Sequence, residues 1–294
     1  MHETVPPLTL LPNLPGGGSR GSVEHFYHFL LSYFLPLENY ISLAQPSALV
    51  LRDCGPMNPW FELLPPGTEL LLRPAKALAA ERAEREGNFS QVNSWERKSW
   101  SRRRRIHRAR HGVLVRQGIR TSPTENRVTL INRAPSLAFY HGPAETKTSG
   151  ADRRSLPNFA ELADALGKEV PLHLFEGEHL PPLDQLRAMS GTTVLIGQHG
   201  AGLANMVWMP AGGFVIEILP TTVGRRQQGL FRALARTCGH RYVAVSQANN
   251  HSPVDVVRVV SALLRSLGIS ALKEGINHEA QAGVGTGDNH VTAV

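Results

Sequence analysis

From residue 127 onward, strand-like apolar runs alternate with helix-like patterns, and little chain is left between them. That layout predicts strands near 127–132, 169–175, 193–197, 213–219 and 241–246. Between them fall helices near 158–166, 182–189, 202–208 and 227–237, with a last helix near 252–267. Runs such as Val194-Leu195-Ile196 and Phe214-Val215-Ile216 are apolar throughout, as buried parallel strands are, so this half reads as a Rossmann-like sheet wound by helices. Asn158 and Glu161 form a capping-box pattern, Gly167 stands where a C′ glycine would, and Ser252-Pro253 reads as an N-cap followed by proline. The first 96 residues are less regular: a helix over 24–39, a strand at 47–51, a Pro-rich stretch, a strand at 69–72, then a loop and linker helix over 83–105. The predicted organisation is an N-terminal α/β half over 1–96, a basic linker helix over 97–126, a Rossmann-like domain over 127–270 and a disordered tail over 271–294.

Charge changes this picture at one place only. The formal net charge is +7 over 294 residues. Residues 1–96 hold six Lys/Arg against ten Asp/Glu, residues 97–120 ten against none, and residues 121–294 fifteen against fourteen, so one segment carries the excess. That segment fits a phosphate or an anionic membrane face, or else a solvated helix joining two halves with Trp95, Trp100 and Ile106 partly buried. The second reading is preferred, and no nucleic-acid partner is expected. No run approaches the roughly 20 apolar residues of a membrane span, the longest being broken by Tyr33 and Pro36. The first seven residues lack the blocks of a signal peptide, which fits either a cytosolic protein or a piece whose anchor lies upstream. Cys54 and Cys238 read as two free buried thiols.

The most informative segment is Gly197-Gln198-His199-Gly200-Ala201-Gly202-Leu203-Ala204-Asn205-Met206, framed by two apolar strands. Bare glycines between a strand and a helix let backbone N–H groups approach a phosphate, and the helix start favours negative charge there. The six-residue glycine fingerprint of dinucleotide folds and the Lys-Ser/Thr of a P-loop are both missing. A tight turn needing no ligand is the plainer alternative.

With His199 before the first glycine, Asn205 in the first turn, Pro210 ending the helix and Glu217 inside the next strand, this string resembles the core motif of the family 61 glycosyltransferases. Thr129-Leu130-Ile131-Asn132-Arg133 is similar to that family's strand ending in arginine, Asp152 through Asn158 to its basic turn, and Phe26-Tyr27-His28-Phe29-Leu30-Leu31 to its aromatic-histidine helix. The resemblance implies a GT-B-like α/β fold, two Rossmann-type halves around a cleft with the N-terminal half small or truncated. It implies inverting transfer from a nucleotide-diphosphate sugar, UDP-linked, to a hydroxyl of a glycan or protein acceptor. Localisation stays open, since relatives of this kind include secretory-pathway and cytosolic enzymes.

Such transfer needs a diphosphate clamp, nucleoside contacts and a base for the acceptor hydroxyl. The backbone at Gly200, Ala201 and Gly202 is the first candidate for the cradle. Arg133, at the carboxyl end of a strand, can chelate two phosphate oxygens, or close the strand edge as a salt bridge. Of Arg153 and Arg154 at most one faces inward, and Arg154 is the candidate. His199 reads as a phosphate or sugar contact, or as a core histidine; Asn205 as a ligand contact or a helix-start residue. Glu217 reads as a ribose acceptor or as the partner of a buried arginine. His28 is the N-terminal catalytic candidate, and Ser32 stands where many family members carry aspartate, which leaves the base open between Glu24, Asp53 and an inactive protein. With no Asp-x-Asp triplet and no zinc spacing, the expectation is a metal-independent mechanism without a cofactor.

Overall fold

The computed structural model describes residues 7–13, 22–84, 87–96, 102–121, 127–141, 149–225 and 227–269. The expected tail, Trp100 and residues 142–148, ahead of Arg153, lie outside them.

The N-terminal layer is a four-stranded parallel sheet. Strand β1 (Leu8–Asn13) leads through helix α1 (Phe26–Phe29), a π-helical turn (Leu30–Phe34) and helix α2 (Leu35–Ala44) into β2 (Ala48–Arg52). A 3₁₀ stretch (Gly55–Leu63), β3 (Glu69–Arg73), α3 (Ala75–Ala83) and β4 (Asn88–Asn93) follow, and the strand order is β3-β2-β1-β4. Pro36 lies inside an unbroken helical run from Phe26 to Ala44, just after the π-helical turn that interrupts the α-helical ladder of that run. The wide turn ahead of it carries Ser32 inward, fully buried. Two strands of this sheet depart from expectation. Strand β1 contains a proline and β4 reads Asn-Phe-Ser-Gln-Val-Asn with only Val92 buried, so neither shows an apolar run.

Helix α4 (Arg102–Arg116) corrects the solvated linker. Ile106, Ala109, Val113 and Leu114, spaced three, four and one apart, are buried against α2 and the C-terminal layer, as is Arg102. Gly112 lets α4 pass so close to α2 that a Cβ there would strike the Glu38 carboxylate. Arg116 pairs with that carboxylate at 3.3 Å, and Arg110 donates to the Met209 carbonyl at 2.7 Å. Four arginines of the helix, Arg103, Arg104, Arg105 and Arg108, face outward. The basic helix is a brace between the layers.

The second sheet comprises β5 (Arg127–Ile131), β6 (Leu172–Phe175), β7 (Thr192–Gln198), β8 (Phe214–Pro220) and β9 (Arg241–Gln247), all parallel, in the order β6-β5-β7-β8-β9. Its helices are the single turn α5 (Gly150–Arg153), α6 (Phe159–Glu169), α7 (Pro182–Ser190), α8 (Leu230–Cys238) and α9 (Val256–Ser266). Alternate strand residues enter different cores. Val128, Leu130, Val194 and Ile196 pack with Leu162, Leu166, Val259 and Leu263 of α6 and α9. Ile131, Leu195 and Val215 face the other way into a core shared with the N-terminal layer. Three local expectations are corrected. Helix α6 runs past Gly167 to Glu169, α9 starts at Val256 with Asp255 as its cap, and the Asn158 side chain, at the N-cap position of α6, donates to Glu161 Oε2 at 3.2 Å and clips Val254 ahead of α9 but makes no bond to the α6 backbone. Among the described residues no helix is long and apolar enough to cross a membrane.

His240, packed at the edge of the shared core, bonds the Met206 carbonyl through Nε2 at 2.9 Å, and its Nδ1 is buried without a partner. Burial pushes the imidazole down to about 4. The unfolded chain, with an ordinary histidine, therefore binds more protons between that value and about 6.5. Stability is complete above pH 6.5 and falls as pH drops toward 4, by roughly 3 kcal/mol in all from this residue. Urea denaturation of wild type and His240→Gln at pH 7 and pH 5 checks this: the variant should lose the larger part of its share of the pH slope, and an unchanged slope would contradict it.

Candidate active site

Strands β5 and β7 are neighbours, yet the chain leaves β5 toward β6 on one side and returns to β7 on the other. Open parallel sheets bind ligands outside the carboxyl ends of their strands at such a switch point. A cavity of about 510 Å³ opens there, between the ends of β5, β6 and β7 and the N-terminal residues His25, Phe26 and Trp60.

The glycine turn forms its floor. His199 N–H donates to the Ile218 carbonyl at 2.8 Å, Gly200 is extended with φ of 170°, and the helix expected over 202–208 is a 3₁₀ helix (Ala201–Trp208). Bonding begins with Leu203 N–H to the Gly200 carbonyl at 3.1 Å, so the N–H groups of Ala201 and Gly202 have no acceptor within the helix. Asn205 is 1% exposed and lines the cavity with its Oδ1 unpartnered.

Arg133 leaves the end of β5 and lies across Gly200, where a Cβ would come well inside 3.0 Å of its Nη1. Only glycine leaves that space. Nε and Nη2 of Arg133 donate to the Gly150 carbonyl at 3.1 and 2.9 Å, and Nη1 to the His199 carbonyl at 3.4 Å. A guanidinium has five N–H donors, so two stay available. Arg154 is buried and Arg153 exposed, which settles which of the pair turns in. Arg154 Nε donates to Asn250 Oδ1 at 3.2 Å. Burial, then the charges of Arg153 and Arg133, lower Arg154 to about 10; burial likewise lowers Arg133. Both remain cationic at neutral pH, and neither has a carboxylate within ion-pair distance among the described residues.

Beneath the turn, His199 Nδ1 bonds Glu217 Oε1, and the Tyr242 hydroxyl donates to Glu217 Oε2. Glu217 is completely buried, and its two oxygens hold a histidine and a tyrosine instead of an arginine. Burial and the Glu217 charge raise the Tyr242 phenol, which keeps its proton and stays a donor. The edge of Phe231 packs on the His199 ring at 5.1 Å. Tyr242 carried no signal of its own. Only the β8–β9 register, Val215 opposite Tyr242 and Glu217 opposite Ala244, places it diagonally from Glu217 on one face.

From the N-terminal layer, His25 lines the cavity and His28 follows one turn later, its Nδ1 2.9 Å from Glu96. The two other acids considered as bases are engaged locally. Glu24 pairs with Arg52 at 3.0 Å, and Asp53 accepts from Gly55 N–H and from Asn58, both at 2.8 Å. Among the described residues no three His, Cys, Asp or Glu converge on a metal position.

The family model described as Glycosyltransferase 61 matches residues 1–216, from β1 through the glycine turn to the middle of β8. The chain belongs to glycosyltransferase family 61. Within family 61 it is 28% identical over 165 residues to a beta-1,2-xylosyltransferase of Oryza sativa subsp. japonica, covering 53% of this chain and 29% of that protein. It is 32% identical over 95 residues to a protein O-linked-mannose beta-1,4-N-acetylglucosaminyltransferase 2 of Takifugu rubripes (31% of this chain, 16% of the relative). It is 31% identical over 106 residues to an EGF domain-specific O-linked N-acetylglucosamine transferase of Canis lupus familiaris (35% and 19%). This family 61 chain thus spans less than a third of the length of these relatives. Glu217 lies one residue beyond the family match, and Tyr242 further still.

Proposed function

We propose that this chain is an inverting glycosyltransferase of GT-B type, moving a sugar from a UDP-linked donor to a hydroxyl of a glycan or protein. The observation that carries the reading is the pair of arginines bonded only to neutral acceptors, Arg133 and Arg154, with open backbone N–H groups at the switch point. Arg154 is buried and Arg133 half-buried, and neither has a carboxylate at ion-pair distance among the described residues, so an anion between them is favoured. A diphosphate supplies that anion.

As the glycosidic bond breaks, negative charge grows on the leaving diphosphate. Donors already fixed in place stabilise it more in the transition state than in the ground state. Arg133 is such a donor, held by two backbone carbonyls, and it and Arg154 provide the counter-charge in this reading without a metal ion. Asn205 Oδ1 and the cavity wall meet the nucleoside or sugar, and His199, fixed from below by Glu217, contacts the phosphates or the transferred sugar. Names of the relatives point to xylose and N-acetylglucosamine as the donors to try first.

Thermal stability with UDP, GDP, UDP-sugars and unrelated nucleotides tests this. A ligand at 100 times its dissociation constant adds about 2.7 kcal/mol of stability. UDP-selective stabilisation is expected in wild type, and it should disappear in Arg133→Ala and weaken in Arg133→Lys, which keeps charge but loses the fork. A wild type indifferent to every nucleotide would remove the donor site from this cavity.

A further inference from the structure

A hydroxyl attacking an anomeric carbon must shed its proton as the new bond forms. In the N-terminal layer Glu24 and Asp53 are committed to local bonds, whereas His28 is bonded through one ring nitrogen only. The His28 side chain is 26% exposed, only its Nδ1 is engaged by the described residues, and it stands three residues after the cavity-lining His25. His25 is the N-cap of α1, so His28 stands one turn further along the chain and is not itself one of the cavity-lining residues. Its partner Glu96, 11% exposed, follows β4 and is gripped from behind. Ser32 Oγ donates to the same oxygen that meets His28, Ser94 Oγ lies 2.8 Å from Ser32 Oγ, and Glu96 N–H donates to Ser94 Oγ at 3.2 Å. The serine at position 32, where an aspartate was expected, leaves room for a carboxylate arriving from another strand. A base whose second nitrogen is fixed by a carboxylate is the arrangement nucleophile activation requires.

We propose that His28 is the base for the acceptor hydroxyl and that Glu96 is its positioning residue, supplying from the end of β4 the carboxylate absent at position 32. The proposal rests on the glycosyltransferase reading. The acceptor O–H proton passes to His28 Nε2, and the oxygen's electron pair forms the bond to the anomeric carbon. The bond from that carbon to the phosphate oxygen breaks, its electrons leave with the diphosphate, and the imidazolium, steadied by Nδ1–H to Glu96, returns the proton to water.

The test measures UDP release from UDP-GlcNAc and UDP-xylose with methyl α-mannoside as acceptor, beside UDP-induced thermal stabilisation, in wild type, Glu96→Gln, Glu96→Asp and Glu96→Gln with Ser32→Asp. Glutamine can donate to Nδ1 and so favour the tautomer whose Nε2 carries hydrogen and cannot accept, which should lower kcat about 100-fold or more with donor KM within about threefold. Glu96→Asp and the double variant, which moves the carboxylate to residue 32, should each regain at least about a tenth of wild-type kcat. Glu96→Gln retaining kcat within about threefold would overturn the assignment, and so would a fall matched by loss of UDP stabilisation, which would make Glu96 merely structural. A wild type that neither binds UDP nor releases it would instead overturn the transferase reading.

Discussion

Replacing Trp208 by alanine should cost about 4 kcal/mol, within the roughly 3–5 typical of emptying a tryptophan site in a packed core. Trp208 ends the 3₁₀ helix that begins at the glycine turn, and it is fully buried. Its ring stacks on Trp60 at 6.0 Å with planes 17° apart and meets the edge of Phe34 at 6.5 Å. Both partners belong to the N-terminal layer, so one side chain fastens the glycine turn to that layer. Each aromatic pair adds about 0.5–1.5 kcal/mol beyond the area it buries. At about 2–4 °C per kcal/mol for a chain of this order, the melting temperature should drop by about 10 °C. Trp208 Nε1 has no hydrogen-bond partner, so Trp208→Phe forfeits volume and no bond, and it should recover more than half of the loss. Equilibrium denaturation of the three proteins decides it. A loss under about 1 kcal/mol for the alanine variant would show that the two layers do not share one cooperative core.

The C-terminal sheet was legible because its central strands β7 and β8 carry apolar runs bounded by turn residues, and α8 and α9 bury side chains at helical spacing, Phe231, Leu234, Ala235 and Cys238 in one and Val259, Ala262, Leu263 and Ser266 in the other. In the N-terminal sheet β2 was legible for the same reason. Strand β4 was hidden because it packs few of its side chains, and β1 because Pro12 interrupts it, while both owe their places to parallel pairing in the register Leu8 to Asn88 through Asn13 to Asn93. Parallel pairing leaves no mark on local sequence. The arginine-rich helix was misjudged for a related reason: its polar residues dominate composition, while only one in three or four positions decides what it packs against. At the site, chemistry within one loop was readable and chemistry across the fold was not. Gly200 and Arg133 could be named from strand ends, but nothing in residues 88–96 announces that Glu96 meets a histidine 68 positions earlier. Glu217 was recognisable as a buried charge needing a partner; which partner depended on register.

That partner relation sets the second large effect. Removing Glu217 entirely, as Glu217→Ala, leaves the Tyr242 hydroxyl and His199 Nδ1 buried without their acceptor and should cost about 3–5 kcal/mol, the range for breaking one side of a buried ionic hydrogen-bonded set. Tyr242→Phe removes one donor while Glu217 keeps the histidine, so about 1–2 kcal/mol is expected. Glu217→Gln separates stability from function. The amide keeps the volume, yet it presents one acceptor and one donor to two groups that both donate, so either the tyrosine loses its bond or His199 must change tautomer. Where the Tyr242 O–H takes the single carbonyl, the amide N–H is left facing His199, and the ring answers by turning a bare nitrogen to it. In the second tautomer Nδ1 accepts and Nε2 carries the hydrogen, which reverses what the ring offers to a ligand above the turn. Glu217→Gln should therefore fold with a loss near that of Tyr242→Phe, retain UDP-induced stabilisation through Arg133 and Arg154, and show a kcat for UDP release from UDP-GlcNAc lowered by about 100-fold. The double variant Glu217→Gln with Tyr242→Phe frees the amide carbonyl for His199 and should recover part of that kcat, a reversal no purely structural role of Glu217 produces. Equal kcat in the single and double variants would mean that the tautomer of His199 does not matter to transfer.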